Sequence, residues 1–257
     1  MTTAVRTAFI SDVHLGTRRC QAGPLLAFLK RFEFERLYLV GDIIDLWSLQ
    51  KTFYRPAEHN TVVQKILRLA RRGVGVTYVV GNHDEALREH LAMTFGDIRL
   101  ADRAVHRAAD GREYLVVHGD RYDQVMRCPG WLSALGDFSY ETLIEVNRAL
   151  SWARRRLGIA GRWSLAAYAK RNLQSAAEYV RDFEHAVAKD AARQGFRGVI
   201  CGHIHTPVIR EVDEVTYVNC GDWVASCSAI VEHLDGRLEL MHVHEDEEEE
   251  ERLALAA

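Results

Sequence analysis

The feature that most constrains this chain is a repeated pattern in which an apolar run ends at a polar residue able to bind a metal. Five such runs are each followed, directly or through a glycine, by Asp, Asn or His. The groups that follow them are Asp12-Val13-His14, Gly41-Asp42, Gly81-Asn82-His83-Asp84, His118-Gly119-Asp120 and Gly202-His203-Ile204-His205. Because ligands in open α/β sheets bind beyond the carboxyl ends of the strands, the pattern predicts that these side chains converge.

Apolar runs and helical periodicity predict an α/β fold. Strands are predicted at Val5–Ser11, Arg36–Val40, Val76–Val80, Glu113–Val117 and Gly198–Cys201, and helices at Pro24–Phe34, Ala57–Arg72 and Glu85–Thr94. Four further strands, with an Asp-Gly turn signal between the last two, are predicted at Val208–Val212, Val215–Asn219, Cys227–His233 and Arg237–Val243. We expect these four strands to complete a second sheet.

The stretch from Tyr140 to Gln194 is rich in Ala, Leu, Arg and Glu and contains no proline, so it predicts two or three helices. No linker rich in Pro, Gly or Ser separates it from the rest. We therefore expect one domain over residues 1–244 with a helical cap inserted at about 121–195. Residues 245–257, which open with seven consecutive acidic residues, are expected to form a disordered tail.

Composition excludes several classes of protein. No apolar run approaches the length of a transmembrane helix, and the first residues lack the pattern of a signal peptide, so we expect a cytoplasmic protein. The five cysteines are scattered and lack zinc-finger spacing, which predicts reduced thiols. Without the acidic run the chain is only weakly basic, which does not favour nucleic-acid binding. The oligomeric state is left open.

The mixture of ligand types in the motifs restricts the metal. Imidazole suits ions such as Zn²⁺ and Fe, carboxylate and amide oxygens suit Mn²⁺, and no thiolate is present in the motifs. Two ions about 3.5–4 Å apart can stabilise both the attacking and the leaving oxygen of a displacement at phosphorus. The motifs therefore predict two divalent ions, Mn²⁺ first, with Fe or Zn²⁺ as alternatives.

The sequences DVH, GD, GNHD, HGD and GHIH, which span Asp12 to His205, resemble the motifs of the calcineurin-like metallophosphoesterases. The resemblance implies a four-layer α/β sandwich and hydrolysis of phosphoesters. It implies one metal bound by Asp12, His14 and His205, a second bound by Asn82, His118 and His203, and Asp42 bridging the two.

The resemblance also implies roles for residues beside the ligands. His83 is expected to contact the phosphate and protonate the leaving group, with Asp84 orienting it; a role limited to the phosphate contact is the alternative. Asp84 and Asp120 are interpreted as capping or supporting groups, and Asp45 as either a helix cap or an orienting group.

Three features are similar to the UDP-2,3-diacylglucosamine pyrophosphohydrolase group: the segments Gly41–Trp47 and Tyr217–Trp223, and the inserted cap. This resemblance implies cleavage of a nucleotide-linked glycolipid diphosphate to UMP and a lipid monophosphate. Basic residues of the cap, including Lys170 and Arg171, are candidates for substrate contact and for peripheral contact with the inner face of the cytoplasmic membrane. An amphipathic hairpin with solvated arginines is the alternative interpretation of the cap.

One departure keeps a second function open. In that group an Arg typically follows the metal-binding Asn, whereas here the residue is His83. A phosphodiesterase or phosphatase acting on another nucleotide or lipid phosphoester is therefore the alternative. A non-catalytic binding module would be expected to lack a ligand, and all seven are present.

Overall fold

The computed structural model describes residues 2–51, 53–91, 93–123 and 165–243, with the side chains of Phe95 and of 165–175 outside that description. The chain divides into two compact units, one formed by Met1–Asp120 and His185–Ala257 and the other by Arg121–Glu184. All seven predicted metal ligands lie in the first unit.

The described residues contain twelve strands and four α-helices. Strands β1 to β12 are Thr3–Ile10, Phe32–Val40, Gly75–Val79, Thr94–Phe95, Ile98–Ala101, Ala104–Arg107, Glu113–Val116, Gly198–Cys201, Val208–Val212, Val215–Asn219, Ser228–Glu232 and Leu238–His242. Helices α1 to α4 are Ala22–Arg31, Leu46–Lys51, Ala57–Arg71 and Leu165–Arg193. Short 3-10 helices lie at Glu85–His90 and Asp120–Tyr122. No α-helix among these residues has the length and apolar character needed to span a bilayer.

The strands form two sheets. The first has seven strands in the order β12-β11-β1-β2-β3-β5-β4, with β1, β2, β3 and β5 parallel. The second has five in the order β6-β7-β8-β10-β9, with β7, β8 and β10 parallel. Two sheets in a mixed α/β fold confirm the predicted fold class. The parallel strands of each sheet end at one edge, and that edge carries the ligand motifs.

Two apolar clusters follow from the alternation of side chains along the central strands. Ile10 of β1 and Leu39 of β2 belong to a cluster that includes the buried faces of α1 and α3. Their neighbours Phe9 and Val40 belong to the other cluster, which contains residues of both sheets, among them Ile200 of β8. The central strands are therefore covered on both faces, which holds their carboxyl ends rigidly.

Several element predictions need correction. The helix predicted at Pro24–Phe34 ends at Arg31, because Phe32–Phe34 pair with Thr3–Val5 as the start of β2. The helix predicted at Glu85–Thr94 is a 3-10 helix, and Thr94 already belongs to β4. The last four strands do not share a sheet: β9 and β10 join the second sheet, whereas β11 and β12 extend the first beside β1. The short elements α2, β5 and β6 were missed.

Candidate metal centre

The ligand motifs follow five parallel strands, three in the first sheet and two in the second. Asp12, Asp42 and Asn82 follow β1, β2 and β3, while His118 and His203 follow β7 and β8. Backbone hydrogen bonds hold the adjacent loops together, such as the one from the Asp12 N–H to the Gly41 carbonyl at 3.1 Å. The strands thus deliver the predicted ligands to one place.

The first group of ligand atoms surrounds Asp12. Its Oδ1 lies 2.9 Å from Nε2 of His205 and 3.9 Å from Nε2 of His14. Ligand atoms of these three residues lie within 4.8 Å of one another. The Nε2 atom of His14 is buried and has no hydrogen-bond partner among the described residues. A buried polar atom of this kind is costly unless something binds it, and a metal ion at this point would.

The second group surrounds His118. Its Nδ1 lies 2.9 Å from the Val40 carbonyl oxygen, which can only accept, so Nδ1 carries the proton of the neutral ring. The lone pair on Nε2 then faces Oδ2 of Asp42 and Oδ1 of Asn82, each at 3.3 Å. His203 completes a set with Asp42 and His118 whose ligand atoms lie within 4.8 Å. Nitrogen and oxygen ligand atoms gathered this closely fit a cation.

The electrostatics of the cluster lead to the same conclusion. Burial alone would raise the pKa of Asp12, but the imidazoles of His205, His118 and His14 hold it well below its usual range. Burial would lower the pKa of His205, but the Asp12 carboxylate raises it to about 9. Burial opposes the charge on His118 too, yet the carboxylates of Asp42 and Asp12 raise its pKa well above the usual value. These buried carboxylates require positive charge beside them, and divalent ions would supply it.

The backbone is strained at the ligands. Five of the seven have positive φ angles, in the left-handed region: Asp12 at 51°, His14 at 51°, Asp42 at 54°, His203 at 70° and His205 at 51°. Such conformations cost about 1–3 kcal/mol each and are concentrated at functional sites.

Glycines allow the close approach of the loops. A Cβ atom at Gly81 would overlap the Asp42 carboxylate, and one at Gly202 would overlap Ser11 and the Asp12 carboxylate. The glycine that precedes each ligand in the motifs GNHD and GHIH is therefore required by space.

Asp45 has both of the roles left open by the sequence. Its Oδ1 accepts a hydrogen bond of 2.6 Å from the N–H of Ser48, which caps the start of α2. Its Oδ2 lies 3.3 Å from Nδ1 of His14 and 3.0 Å from Nδ1 of His83. Burial would raise the pKa of Asp45, but hydrogen bonds from these imidazoles and from Ser48 hold it well below its usual range. One carboxylate therefore orients two histidines.

His83 lies beside both ligand groups. Its backbone N–H donates to Oδ1 of Asp42 at 2.8 Å, and its Nε2 is 4.0 Å from Oδ2 of the same residue. Its ring is edge-on to that of His14, with centroids 4.6 Å apart. Burial would lower the pKa of His83, but the hydrogen bond with Asp45 and the charge of Asp42 raise it. Because Nδ1 lies 3.0 Å from the Asp45 carboxylate, Nε2, on the side of Asp42, is the nitrogen that can carry a proton towards the ligand groups.

The predicted role of Asp84 as the group that orients His83 is wrong, because Asp45 occupies that position. Asp84 is buried, and its Oδ1 accepts from the N–H of Gly81 at 2.6 Å. Its Oδ2 accepts from the N–H of Ile43 at 2.9 Å and from the Tyr78 hydroxyl. Burial and the nearby Asp42 charge raise the pKa of Asp84. Asp84 joins the loops that follow β2 and β3, which confirms its interpretation as a supporting group.

Asp120 has a supporting role through a residue that sequence reasoning missed. Nη2 of Arg88 donates to Oδ2 of Asp120 at 2.6 Å and to the Val80 carbonyl at 3.3 Å. Nε of Arg88 also lies 3.3 Å from Oδ1 of Asp102. Arg88 thus connects the loop that carries Asn82 to the loop that carries His118. Only contacts between distant parts of the chain reveal this role, so the sequence contained no signal for it.

The segment Tyr217–Trp223 supports the ligand loops of both sheets. Nδ2 of Asn219 donates to the Gly202 carbonyl at 2.8 Å. The backbone N–H of Trp223 donates to the Asp12 carbonyl at 3.0 Å. The sequence identified this segment only through a family resemblance, and the structure adds a physical reason for it.

The predicted substrate contacts remain predictions. Lys170 and Arg171 lie in α4, but their side chains are outside the described residues. The rest of the predicted cap, 124–164, and the acidic tail from 245 are also outside them.

Comparison with known proteins identifies relatives across most of the chain. The family model described as calcineurin-like phosphoesterase matches residues 5–207. A UDP-2,3-diacylglucosamine hydrolase of Aeromonas salmonicida (strain A449) is 28% identical over 88% of this chain and 89% of its own length. A protein of the same name from Haemophilus influenzae (strain PittGG) is 24% identical over 87% of this chain and 92% of its own. Among solved structures, a Thermotoga maritima protein aligns with a TM-score of 0.44 at 18% identity, covering 93% of this chain and 99% of its own.

Proposed function

Because this chain belongs to the calcineurin-like phosphoesterase family, and is therefore a hydrolase of phosphoester bonds, we propose that it cleaves the diphosphate of a UDP-2,3-diacylglucosamine-like glycolipid with two divalent ions. The observation that carries the two-ion proposal is the convergence of two groups of candidate ligands, whose nitrogen and oxygen atoms lie within 4.8 Å of one another in each group. The curated relatives carry the substrate proposal, because they bear that enzyme's name and align along most of the chain.

In this proposal Asp12, His14 and His205 bind one ion, Asn82, His118 and His203 bind the other, and Asp42 bridges them. Asp42 is suited to bridging because it belongs to the second group and its pKa responds to His14 of the first as well as to His118. Burial opposes its ionisation, yet these imidazoles hold its pKa below the usual value. The donor set without thiolate favours Mn²⁺, with Fe or Zn²⁺ as alternatives.

The chemistry divides between the ions and the protein. Bound ions would lower the pKa of water and offset charge on the attacking and leaving oxygens. The chain's own residues position these groups and move a proton. The doubly protonated ring of His83 would donate its Nε2 proton to the leaving oxygen, while the Asp45 carboxylate, 3.0 Å from Nδ1, keeps the other proton on Nδ1. The His83 ring is already oriented before the reaction begins, so the reaction requires no rearrangement of that side chain.

The chain organisation is part of the proposal. We assign residues 1–244 to one domain with a helical cap at about 121–195, followed by the acidic tail. Basic residues of the cap, including Lys170 and Arg171, would contact the substrate at the inner face of the cytoplasmic membrane, since an anionic surface attracts a basic segment.

Substrate assignment is tested by product analysis. Purified protein with Mn²⁺ should release UMP from UDP-2,3-diacylglucosamine, measured by chromatography. A chain that cleaves bis(p-nitrophenyl) phosphate but releases no UMP would instead have the alternative function, a phosphodiesterase or phosphatase of other specificity. His83 favours that alternative, since an Arg is typical at this position in the lipid-processing group.

The two-ion proposal is tested by Asp42→Asn. An amide cannot supply the anionic bridge that two ions need, so metal content should fall from two ions per chain and turnover should be abolished. Asp235→Asn is a matched control, because Asp235 is exposed and accepts a backbone hydrogen bond from Arg237 in the turn between β11 and β12. Undiminished turnover of Asp42→Asn would contradict the two-ion mechanism.

A further inference from the structure

The side chain of Trp47 lies beside His83 and remains partly open to solvent. The two ring centroids are 4.5 Å apart at an interplanar angle of 39°, and Trp47 is 41% exposed. Trp47 belongs to the first turn of α2, two residues after Asp45, the carboxylate at Nδ1 of His83. The same short segment therefore supplies the group that orients the imidazole and an aromatic ring that partly covers it.

Other neighbours of His83 surround its two ring nitrogens. Nδ1 lies 3.0 Å from Oδ2 of Asp45, and the ring of His14 meets the imidazole edge-on at 4.6 Å. Nε2 lies 4.0 Å from Oδ2 of Asp42, on the side of the ligand groups. A leaving oxygen that accepts a proton from Nε2 must come within about 3 Å of it. The organic group attached to that oxygen extends from the same point, close to the partly exposed Trp47 ring, whose centroid is 4.5 Å from that of His83.

We propose that Trp47 contacts the leaving group of the substrate and selects leaving groups with a flat or apolar body over small polar ones. This inference rests on the proposed function, because it places the leaving oxygen at His83. It adds a specificity residue to that reaction. An indole has a large apolar surface with few rotatable bonds, so covering it with an apolar group is favourable.

The size of the effect follows from the exposed area. About 40% of a tryptophan corresponds to roughly 100 Å², of which a flat aromatic leaving group would cover about half. At about 25 cal/mol per Å², that contact corresponds to about a tenfold change in kcat/KM.

The test uses two phosphodiesters that keep the same methyl group and differ in the group that leaves. Methyl p-nitrophenyl phosphate releases a flat aromatic group, and methyl 2,2,2-trifluoroethyl phosphate releases a small one. Each variant is compared with the wild type on the same probe, so the intrinsic reactivity of the probe cancels. Trp47→Ala should lose about tenfold in kcat/KM on the nitrophenyl probe and less than about twofold on the trifluoroethyl probe.

Two further variants serve as controls. Trp47→Phe keeps a flat ring and should retain most of the activity on the nitrophenyl probe. Leu234→Ala removes another exposed apolar side chain, 64% exposed, from the turn after β11. β11 runs antiparallel to β1, and Glu232 at the end of β11 pairs with Thr7, so the chain after β11 leads away from the end of β1 that carries the ligands. Leu234→Ala should leave both rates unchanged, and thermal unfolding should show that Trp47→Ala is folded.

The outcomes separate this inference from the proposed function. A loss on the trifluoroethyl probe as large as or larger than that on the nitrophenyl probe would mean that Trp47 only supports His83, because the alkoxide is the leaving group that needs its proton. Unchanged rates would mean that Trp47 does not contact the leaving group. Either result overturns the inference while the phosphoesterase remains. A wild-type chain that releases no UMP from UDP-2,3-diacylglucosamine and hydrolyses neither probe, with any of the three metals, would overturn the proposed function and this inference together.

Discussion

Replacing Asp45 with Asn separates two roles that one carboxylate has in this protein. Oδ1 accepts from the N–H of Ser48 at 2.6 Å, while Oδ2 lies 3.3 Å from Nδ1 of His14 and 3.0 Å from Nδ1 of His83. An amide has a single oxygen, so its side chain can cap α2 or accept from the imidazoles but cannot do both. Asn is as good as Asp at a helix N-cap, so we expect the cap to be kept and the orientation of the histidines to be lost.

The expected magnitudes differ for stability and catalysis. If the cap is kept, the free energy of unfolding should change by less than about 1 kcal/mol, whereas Asp45→Ala should cost about 1–2 kcal/mol. Loss of a partner that orients a ligand or a general acid typically costs about 10–100-fold in activity or metal affinity. Asp45→Asn should therefore lower kcat by about 10–100-fold with an alkoxide leaving group, which needs a proton from His83. The loss should be smaller with p-nitrophenolate, which leaves without protonation.

The assay measures kcat on the trifluoroethyl and nitrophenyl methyl phosphates at a series of Mn²⁺ concentrations, with urea unfolding in parallel. Saturating metal removes any effect that acts only through His14. Asp235→Asn is again the matched control, because its carboxylate accepts a backbone hydrogen bond from Arg237 far from the ligands. Wild-type kcat for the alkoxide probe, or an equal loss on both probes at saturating metal, would refute the assignment of Asp45 as the group that orients His83.

Other predictions address the support of the site. Arg88→Met should weaken metal binding about tenfold in calorimetry, because the ion pair with Asp120 at 2.6 Å holds a ligand loop, and Arg88→Lys should be intermediate. Burial opposes the ionisation of Glu232, but His106, the Thr7 hydroxyl and the Ala109 N–H together lower its pKa from 4.5 to about 2. That carboxylate therefore adds about 3 kcal/mol of stability above pH 4.5, lost as pH falls towards 2, and Glu232→Gln should flatten this loss in urea unfolding between pH 2 and 6. Gly202→Ala should abolish metal binding in calorimetry, because its Cβ would overlap the carboxylate that follows β1.

The central strands could be predicted from the sequence because each is a buried apolar run with a clear end. Residues Leu37–Val40 of β2 and Val199–Cys201 of β8 are buried throughout, and the polar residues after them stop the run. Such strands are covered on both faces and need no long-range information to be recognised. The ligands follow from the strand ends, so the positions that converge could be predicted together with the strands.

The missed elements are those whose structure depends on distant partners. β6 has alternating buried and exposed residues over only four positions, and α2 has six residues of which none is fully buried. β11 reads as a buried strand, but its place beside β1 depends on pairs such as Thr7 with Glu232. Periodicity shows that a segment is a strand and contains no information about its neighbour.

The error at Asp84 has a local cause. Neighbouring residues in an irregular turn direct their side chains apart, so adjacency in GNHD did not imply contact between His83 and Asp84. Asp45, 38 positions earlier, reaches His83 because the loops after β2 and β3 lie side by side. A motif predicts which residues are near the site, whereas the register between strands decides which of them touch.

The strained backbone of the ligands fits the charge distribution around them. Asp12, His14 and Asp42 have left-handed φ angles of 51°, 51° and 54°. Their loops also carry a buried imidazole nitrogen without a hydrogen-bond partner among the described residues and buried carboxylates. Each of these features destabilises the folded chain when no ion is bound. The surrounding structure compensates, because the sheets beneath are covered on both faces and Asp84 joins two of the loops by hydrogen bonds from Gly81 and Ile43. A rigid scaffold therefore maintains the strained backbone of the ligands. Binding of cations would offset the buried negative charge, while the left-handed angles would remain.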